Sequence, residues 1–190
     1  SAVTTCISLV LAVLAAFGGR ASDAAVSWLT DLVMGVPHIV LLLLISYALG
    51  RGFWGVTIGV ALTHWPSLTR LLRAELLQAK REPYLEASAA LGVSWPRVVV
   101  RHLIPAIAPQ LIVGAVLAFP HAILHEASIT FLGFGLSPDQ PAIGVILSES
   151  MGYLTAGAWW LAVLPGAALV ACVALFDMLG SSLRRLIDAD

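Results

Sequence analysis

Residues 82–105 read EPYLEASAALGVSWPRVVVRHLIP, a polar, helix-forming island between segments too apolar for water. Pro83 suits a first helical turn, Tyr84 to Leu91 are mostly good helix formers, and Gly92 can take the left-handed conformation that ends a helix. Ser94 and Pro96 then start another. The expected element is a helix of about two turns, too short to be stable alone. Its small side chains, Ala87, Ser88, Ala89 and Ala90, let another backbone come close. Such a helix must dock against a partner, and its apolar surroundings put it at a membrane surface.

Composition says the same of the whole chain. Hydrophobic residues make up 59% and charged residues 11%, and the mean hydropathy is +0.95, where soluble proteins carry about 25% charged residues. The expected fold is all-α, a polytopic transmembrane helical bundle forming one domain over 1–190. The net charge of −1 says little about partners, because what matters is where the positive charges fall, and the chain carries no nucleic-acid footprint. Five apolar runs, near 2–18, 24–49, 53–69, 104–126 and 158–180, approach or exceed the length needed to cross about 30 Å of hydrocarbon. Arg20, Arg70, Arg73, Lys80, Arg81, Arg97, Arg101, Arg184 and Arg185 fall on one side of these spans and Arg51 alone on the other. By the positive-inside rule the 70–103 loop and the C-terminus are cytoplasmic and the 127–157 loop, without Lys or Arg, is external. The chain opens on Ser1 with the apolar run under way and no basic n-region, so no signal peptide is read there. Cys6 and Cys172 both fall within spans and supply no disulfide framework.

The spacing within 82–105 is specific: Glu86-Ala87, Gly92 six residues after the Glu, His102, and Pro105 thirteen after the Gly. This resembles the EAA loop of ABC importer permeases, with Ser88 where the third residue of the name is usually Ala. The resemblance implies the type I ABC importer permease fold, with residues 82–92 as a cytoplasmic coupling helix seated in a cleft of an ATPase. Glu86, Ala87, Ser88, Leu91 and Gly92 would make that coupling. It further implies a second, related permease subunit completing a heterodimer, two ATP-binding cassette subunits and an extracytoplasmic substrate-binding protein. The family pattern has one more span before residue 1, so the chain resembles a permease without it. The place implied is the cytoplasmic (inner) membrane of a bacterium or archaeon.

Further matches narrow the resemblance. Trp65-Pro66, Arg70, Arg73-Ala74-Glu75, Ser128 to Gly135 (SITFLGFG), Pro138, Pro141, Gly144, Trp160, Pro165-Gly166, Leu179-Gly180 and Leu183-Arg184 are similar to the C-type permeases of the dipeptide, oligopeptide and nickel uptake group. Asp177, Ser181 and Ile143 depart from it, standing where that group commonly has Asn, Asp and Trp. The departures lie outside the coupling loop and bear on the substrate. The Leu, Phe and Ile residues of the 127–157 loop lead us to expect a segment folded back over the outer mouth that helps close an outer gate.

The histidines speak to the substrate. His38 and His64 fall near mid-depth of their spans, and His121 and His125 near the outer end of the fourth. Polar rings in lipid are costly, so these four should face protein or a water-filled path, with Glu126 beside them. His121 and His125 are four apart and share a helix face, a spacing that can grip a transition metal transiently. Pro120 is expected to kink the helix just before them. The same rings could instead satisfy interhelical hydrogen bonds. His64-Trp65 and the His121/His125 pair also look like the nickel branch of the group, so the reading leans to nickel, free or chelated, with a dipeptide or oligopeptide as the alternative.

An enzyme is disfavoured. His125-Glu126-Ala127-Ser128 begins like the zinc-protease H-E-x-x-H, but position 129 is Ile, and no G-x-x-x-x-G-K-[ST] phosphate loop occurs. The chain is expected to bind no cofactor itself, with ATP and Mg on the partner ATPases. A passive channel or structural membrane subunit would need no coupling loop, and a pull-down for a nucleotide-binding subunit separates these classes. The expected mechanism is alternating access driven from outside the chain. Gly92→Pro should therefore abolish transport and leave membrane insertion intact, because a residue confined to negative φ replaces one able to end the helix. Wild-type uptake by that variant would remove the coupling assignment.

Overall fold

Runs of Ala, Leu and Val that must satisfy their own amides away from water coil into α-helices. The computed structural model describes residues 2–83 and 93–187, and structural statements below concern those residues. Helix α1 is Ala2–Phe17, α2 Gly19–Met34, α3 His38–Ala48 and α4 Gly52–Ala79. A single turn, α5, covers Trp95–Val98 and passes through a π-helical turn, Val99–Leu103, into α6, Ile104–Phe131. Helices α7, Ile143–Leu154, and α8, Trp160–Ile187, complete the order. The π turn precedes Pro105, which has no N–H to return to the carbonyl four residues back, and the ladder widens there, with the Ile104 N–H bonding the Val99 carbonyl.

The helices follow the apolar runs unevenly. Val99–Phe131 (33 residues) and Trp160–Ile187 (28 residues) are each long and apolar enough to cross a membrane. The expected continuous run at 24–49 is corrected: Gly35, Val36 and Pro37 separate α2 from α3, because Pro37 cannot continue the α2 ladder and disfavours a helical residue before it. The two helices make a third crossing only when counted together. Helix α1 is apolar but has 16 residues, about 24 Å of rise. In α4 the apolar run is diluted by Thr57, Thr63, His64, Pro66 and Ser67, and the helix runs past residue 69 to Ala79.

The chain divides into two compact units, each drawing on α4 and α6. In the unit of Ala2–Gly35, Trp65–Ala115 and the segment from Leu183, the core is Ala12, Ala16, Leu68, Leu72, Leu76, Val98, Leu103 and Ile107. Small residues bring its helices close: a Cβ on Gly114 would lie 2.5 Å from Leu68 Cδ1. Beside Pro66, the Ser8 hydroxyl donates to the Trp65 carbonyl at 3.0 Å, which joins α1 to α4.

In the unit of Val36–His64 and Val116–Ser182, Leu42, Val56, Val60 and Ile129 are the buried centre. The α3–α4 turn is left-handed at Gly50, Arg51 and Gly52, with φ of +93°, +56° and +79°. Arg51 adopts a conformation that disfavours a side chain, and its guanidinium lies 5.1 Å from the ring centres of both Tyr47 and Phe134. The 127–157 segment folds back locally as α7, where Gly144 sits against the end of α6. A Cβ there would stand 2.5 Å from the Ala127 carbonyl oxygen and 2.8 Å from Thr130 Cβ, whereas Gly152 of the same helix faces open space. Gly144→Ala should destabilise the protein by about 1–3 kcal/mol and expose α7 to protease, while Gly152→Ala should leave melting unchanged or raise it. Equal behaviour of the two variants in a thermal melt would contradict this seating of α7.

Candidate functional site

The 80–94 loop is held at its base. Glu86, Ala87, Ser88, Leu91 and Gly92 lie outside the described residues, but the segments entering and leaving their stretch are described. Leu72 and Leu76, on the last turns of α4, are fully buried. They pack with Val98 of α5, Leu103 of the π turn and Ile107 of α6, together with Ala12 and Ala16 of α1. Both ends of the 80–94 segment therefore enter one apolar cluster. Lys80, at the exit from α4, donates to the Ala16 carbonyl at 3.3 Å and lies 5.1 Å from the Phe17 ring centre.

Two ion pairs tie α2 to the same part of α4. Arg73 grips Asp23 with both arms of its guanidinium, Nε to Oδ1 at 2.5 Å and Nη2 to Oδ2 at 2.7 Å, and Arg70 pairs with Asp31. Sequence reasoning treats Arg70 and Arg73 chiefly as topology anchors. The structure adds a bracing role and partners that sequence reasoning misses. The available signal is two carboxylates, Asp23 and Asp31, in or beside an apolar run, where a charge is costly unless paired.

The second constellation is made of histidines. His38 is the first residue of α3, His64 lies in α4, and His125 lies in α6. Their ring centres are 4.4 Å apart for His38–His64, 4.4 Å for His38–His125 and 4.8 Å for His64–His125, with interplanar angles of 89°, 71° and 87°. One ring nitrogen from each lies within 4.8 Å of the other two. His64 Nδ1 is 3.0 Å from the Val60 carbonyl and His125 Nδ1 is 2.6 Å from the His121 carbonyl. A carbonyl only accepts, so each Nδ1 carries the hydrogen and each Nε2 keeps its lone pair. His64 Nε2 and His38 Nδ1 are buried without a hydrogen-bond partner.

This grouping differs from the expected His121/His125 pair. His125 uses one nitrogen on the backbone of its own helix and gathers with His38 and His64, while His121 is exposed and outside the group. Nor do His38 and His64 lie apart from His125 in depth, since the three rings meet. Glu126 is engaged elsewhere, because its Oε1 accepts from Thr130 Oγ1 at 2.8 Å, and Thr130 Oγ1 in turn accepts from the Leu136 N–H at 3.0 Å. It supports the turn after α6 and stands outside the trio.

Comparison with known proteins places the chain. Residues 8–190 match the family described as binding-protein-dependent transport system inner membrane component. The chain belongs to this family. A Brucella ovis protein named as a peptide permease is 34% identical over 189 residues, covering 98% of this chain and 62% of its own length. A dipeptide transport system permease protein, DppC, of Haemophilus influenzae is 29% identical over 178 residues, 94% of this chain and 60% of its own length. The chain thus spans about three fifths of these relatives. A chain from inward-facing structures of the MetNI methionine ABC transporter has a TM-score of 0.72 at 21% identity, over 97% of this chain and 88% of that one. The fold is therefore that of an ABC transporter permease, as the sequence leads one to expect.

The α2–α4 brace has a direct test in this permease fold. Asp23→Arg should lower thermal stability, because it sets two guanidiniums side by side, and adding Arg73→Asp should restore most of the loss. The pair is about one-third exposed, so its removal by Asp23→Asn should cost only about 0.2–1 kcal/mol. A swapped pair no more stable than the single Asp23→Arg variant would contradict the brace.

Proposed function

We propose that this chain is the membrane-spanning permease subunit of an ATP-driven importer and that its cargo is nickel or a nickel chelate. Family membership over residues 8–190 supports the importer reading. The observation that carries the metal is the meeting of His38, His64 and His125, two of them with buried, unpartnered ring nitrogens. Imidazole is a borderline ligand that suits Ni²⁺, and ligands carried on separate helices would let the ion leave when those helices part.

In the proposed mechanism the chain pairs with a second, related permease and lies in the inner membrane. An extracytoplasmic binding protein delivers cargo, and two ATPases, carrying ATP and Mg, close on the coupling segments. Closure pushes on residues 82–92. The push passes into α4 and α6 through the cluster of Leu72, Leu76, Val98, Leu103 and Ile107, and the spans tilt to change the side to which the path opens. Helix α7, seated at the end of α6, is the proposed part of the outer gate. The chain has no catalytic role of its own in this scheme.

A second reading, dipeptide or oligopeptide uptake, is favoured by the names of the Brucella and Haemophilus relatives. The deciding experiment is ATP-dependent uptake of radioactive nickel into vesicles bearing the complete transporter, with a dipeptide as competitor. Nickel accumulation that excess dipeptide leaves unchanged is the expected result. Dipeptide accumulation with no nickel uptake would overturn the metal reading in favour of the peptide one.

A further inference from the structure

The His38 ring ties α3 to α4 by a hydrogen bond to the Thr63 backbone, yet the group formed by His38, His64 and His125 keeps nitrogens that this helix-joining role does not use. Hydroxyls in this protein find carbonyl partners, on their own helix or a neighbour: Thr63 Oγ1 donates to the Gly59 carbonyl at 2.9 Å, Thr30 Oγ1 to Val26 at 2.7 Å and Ser8 Oγ to Trp65 at 3.0 Å. Rings serving as interhelical glue would likewise have their nitrogens paired, because a buried polar atom left without a partner is costly. His38 Nδ1 and His64 Nε2 are left so. These atoms and the unprotonated Nε2 of His125 stand on three different helices of one unit, and one ring nitrogen from each of the three residues lies within 4.8 Å of the other two.

We propose that His38, His64 and His125 form a three-imidazole binding site for a divalent first-row transition ion, gripping one face of the ion and leaving its remaining positions to water or a small chelator. The chemistry of the donors sets this class. Three neutral nitrogens with no carboxylate in the group disfavour Mg²⁺ and Ca²⁺, which take oxygen, and suit Co²⁺, Ni²⁺, Cu²⁺ and Zn²⁺. Nitrogens bound at about 2.0–2.1 Å to one ion stand about 3.0–3.4 Å apart, so closing the present group, within 4.8 Å, takes an inward swing of roughly 1 Å by each ring. Two rings are already oriented from behind, His64 by the Val60 carbonyl and His125 by the His121 carbonyl. That is the support from the second nitrogen that metal-ligating imidazoles use. Three ligands from three helices also give an exit: any rearrangement that parts α3, α4 and α6 removes donors together and releases the ion.

Metal binding follows from the geometry alone, whereas the site's part in translocation rests on the importer reading. The test uses the complete transporter in lipid nanodiscs, without ATP, titrated with Co²⁺ as a spectroscopic probe and then with Ni²⁺. The wild type should bind one ion per chain at this site, with an X-ray absorption spectrum showing three imidazoles. His64→Ala and His38→Ala should each weaken binding by more than the roughly hundredfold that loss of an outer-shell partner can cost, and His121→Ala should not. The absorption spectrum of the wild type needs no variant to fold: one imidazole or none around the ion overturns the proposal, as does equal affinity in the wild type and His64→Ala. Nickel uptake in the vesicle assay, measured beside it, separates the two ideas. Three-imidazole binding with dipeptide uptake and no nickel uptake keeps the site and ends the cargo reading. Nickel uptake with undiminished binding in both His38→Ala and His64→Ala keeps the cargo reading and ends the site.

Discussion

The contact of Leu72 and Leu76 with Val98, Leu103 and Ile107 is the interaction on which the described structure most depends. It joins the end of α4 to the start of α6 across the 80–94 segment and takes α1 into the same cluster through Ala12 and Ala16. Where the alternative is water, burying each such leucine contributes about 1.5–3 kcal/mol. Within hydrocarbon that drive disappears and close approach takes over, which is where Gly114 against Leu68 belongs. A loop with both ends fixed in one packed body cannot move without moving its helices. That constraint is what the proposed coupling role of residues 82–92 relies on.

Polar groups within the helices obey one economy, with an exception. Several hydroxyls bond back to carbonyls of their own helix and others reach a neighbouring one, as Ser8 does at Trp65, while Asp23 and Asp31 pair with Arg73 and Arg70, and Arg51 lies near two aromatic rings. The exception is the pair of unpartnered ring nitrogens on His38 and His64. A structure that satisfies its other buried side-chain polar atoms among the described residues gives those two a meaning that neither residue has alone. The mechanical and the chemical features also share parts: α4 carries Leu72 and Leu76 as well as His64, and α6 carries Ile107 as well as His125.

Much of this is legible in the sequence, and the misses have physical reasons. The spacing of Glu86, Gly92 and Pro105 points to the permease fold through its resemblance to the EAA loop. Composition locates the long apolar helices, but hydropathy averages over a window and is blind to Pro37, which divides 24–49 into two helices. The His121/His125 spacing exposes a shared face without revealing which neighbour it meets. Only tertiary contact shows that His125 joins His38, distant by 87 positions, and that Glu126 turns instead to Thr130. Arg70 and Arg73 announce their side of the membrane by charge, while their partners on α2 need the fold.

The central claim is that residues 82–92 meet a separate ATPase and pass its motion into the helices. It is tested most directly by placing a cysteine at Ala87, with Cys6 and Cys172 replaced by serine, and cross-linking in native membranes. The account predicts a cross-link to the nucleotide-binding subunit whose yield changes when ATP is added. Labelling of that cysteine by an impermeant maleimide from the exterior, with no cross-link to an ATPase, would contradict it.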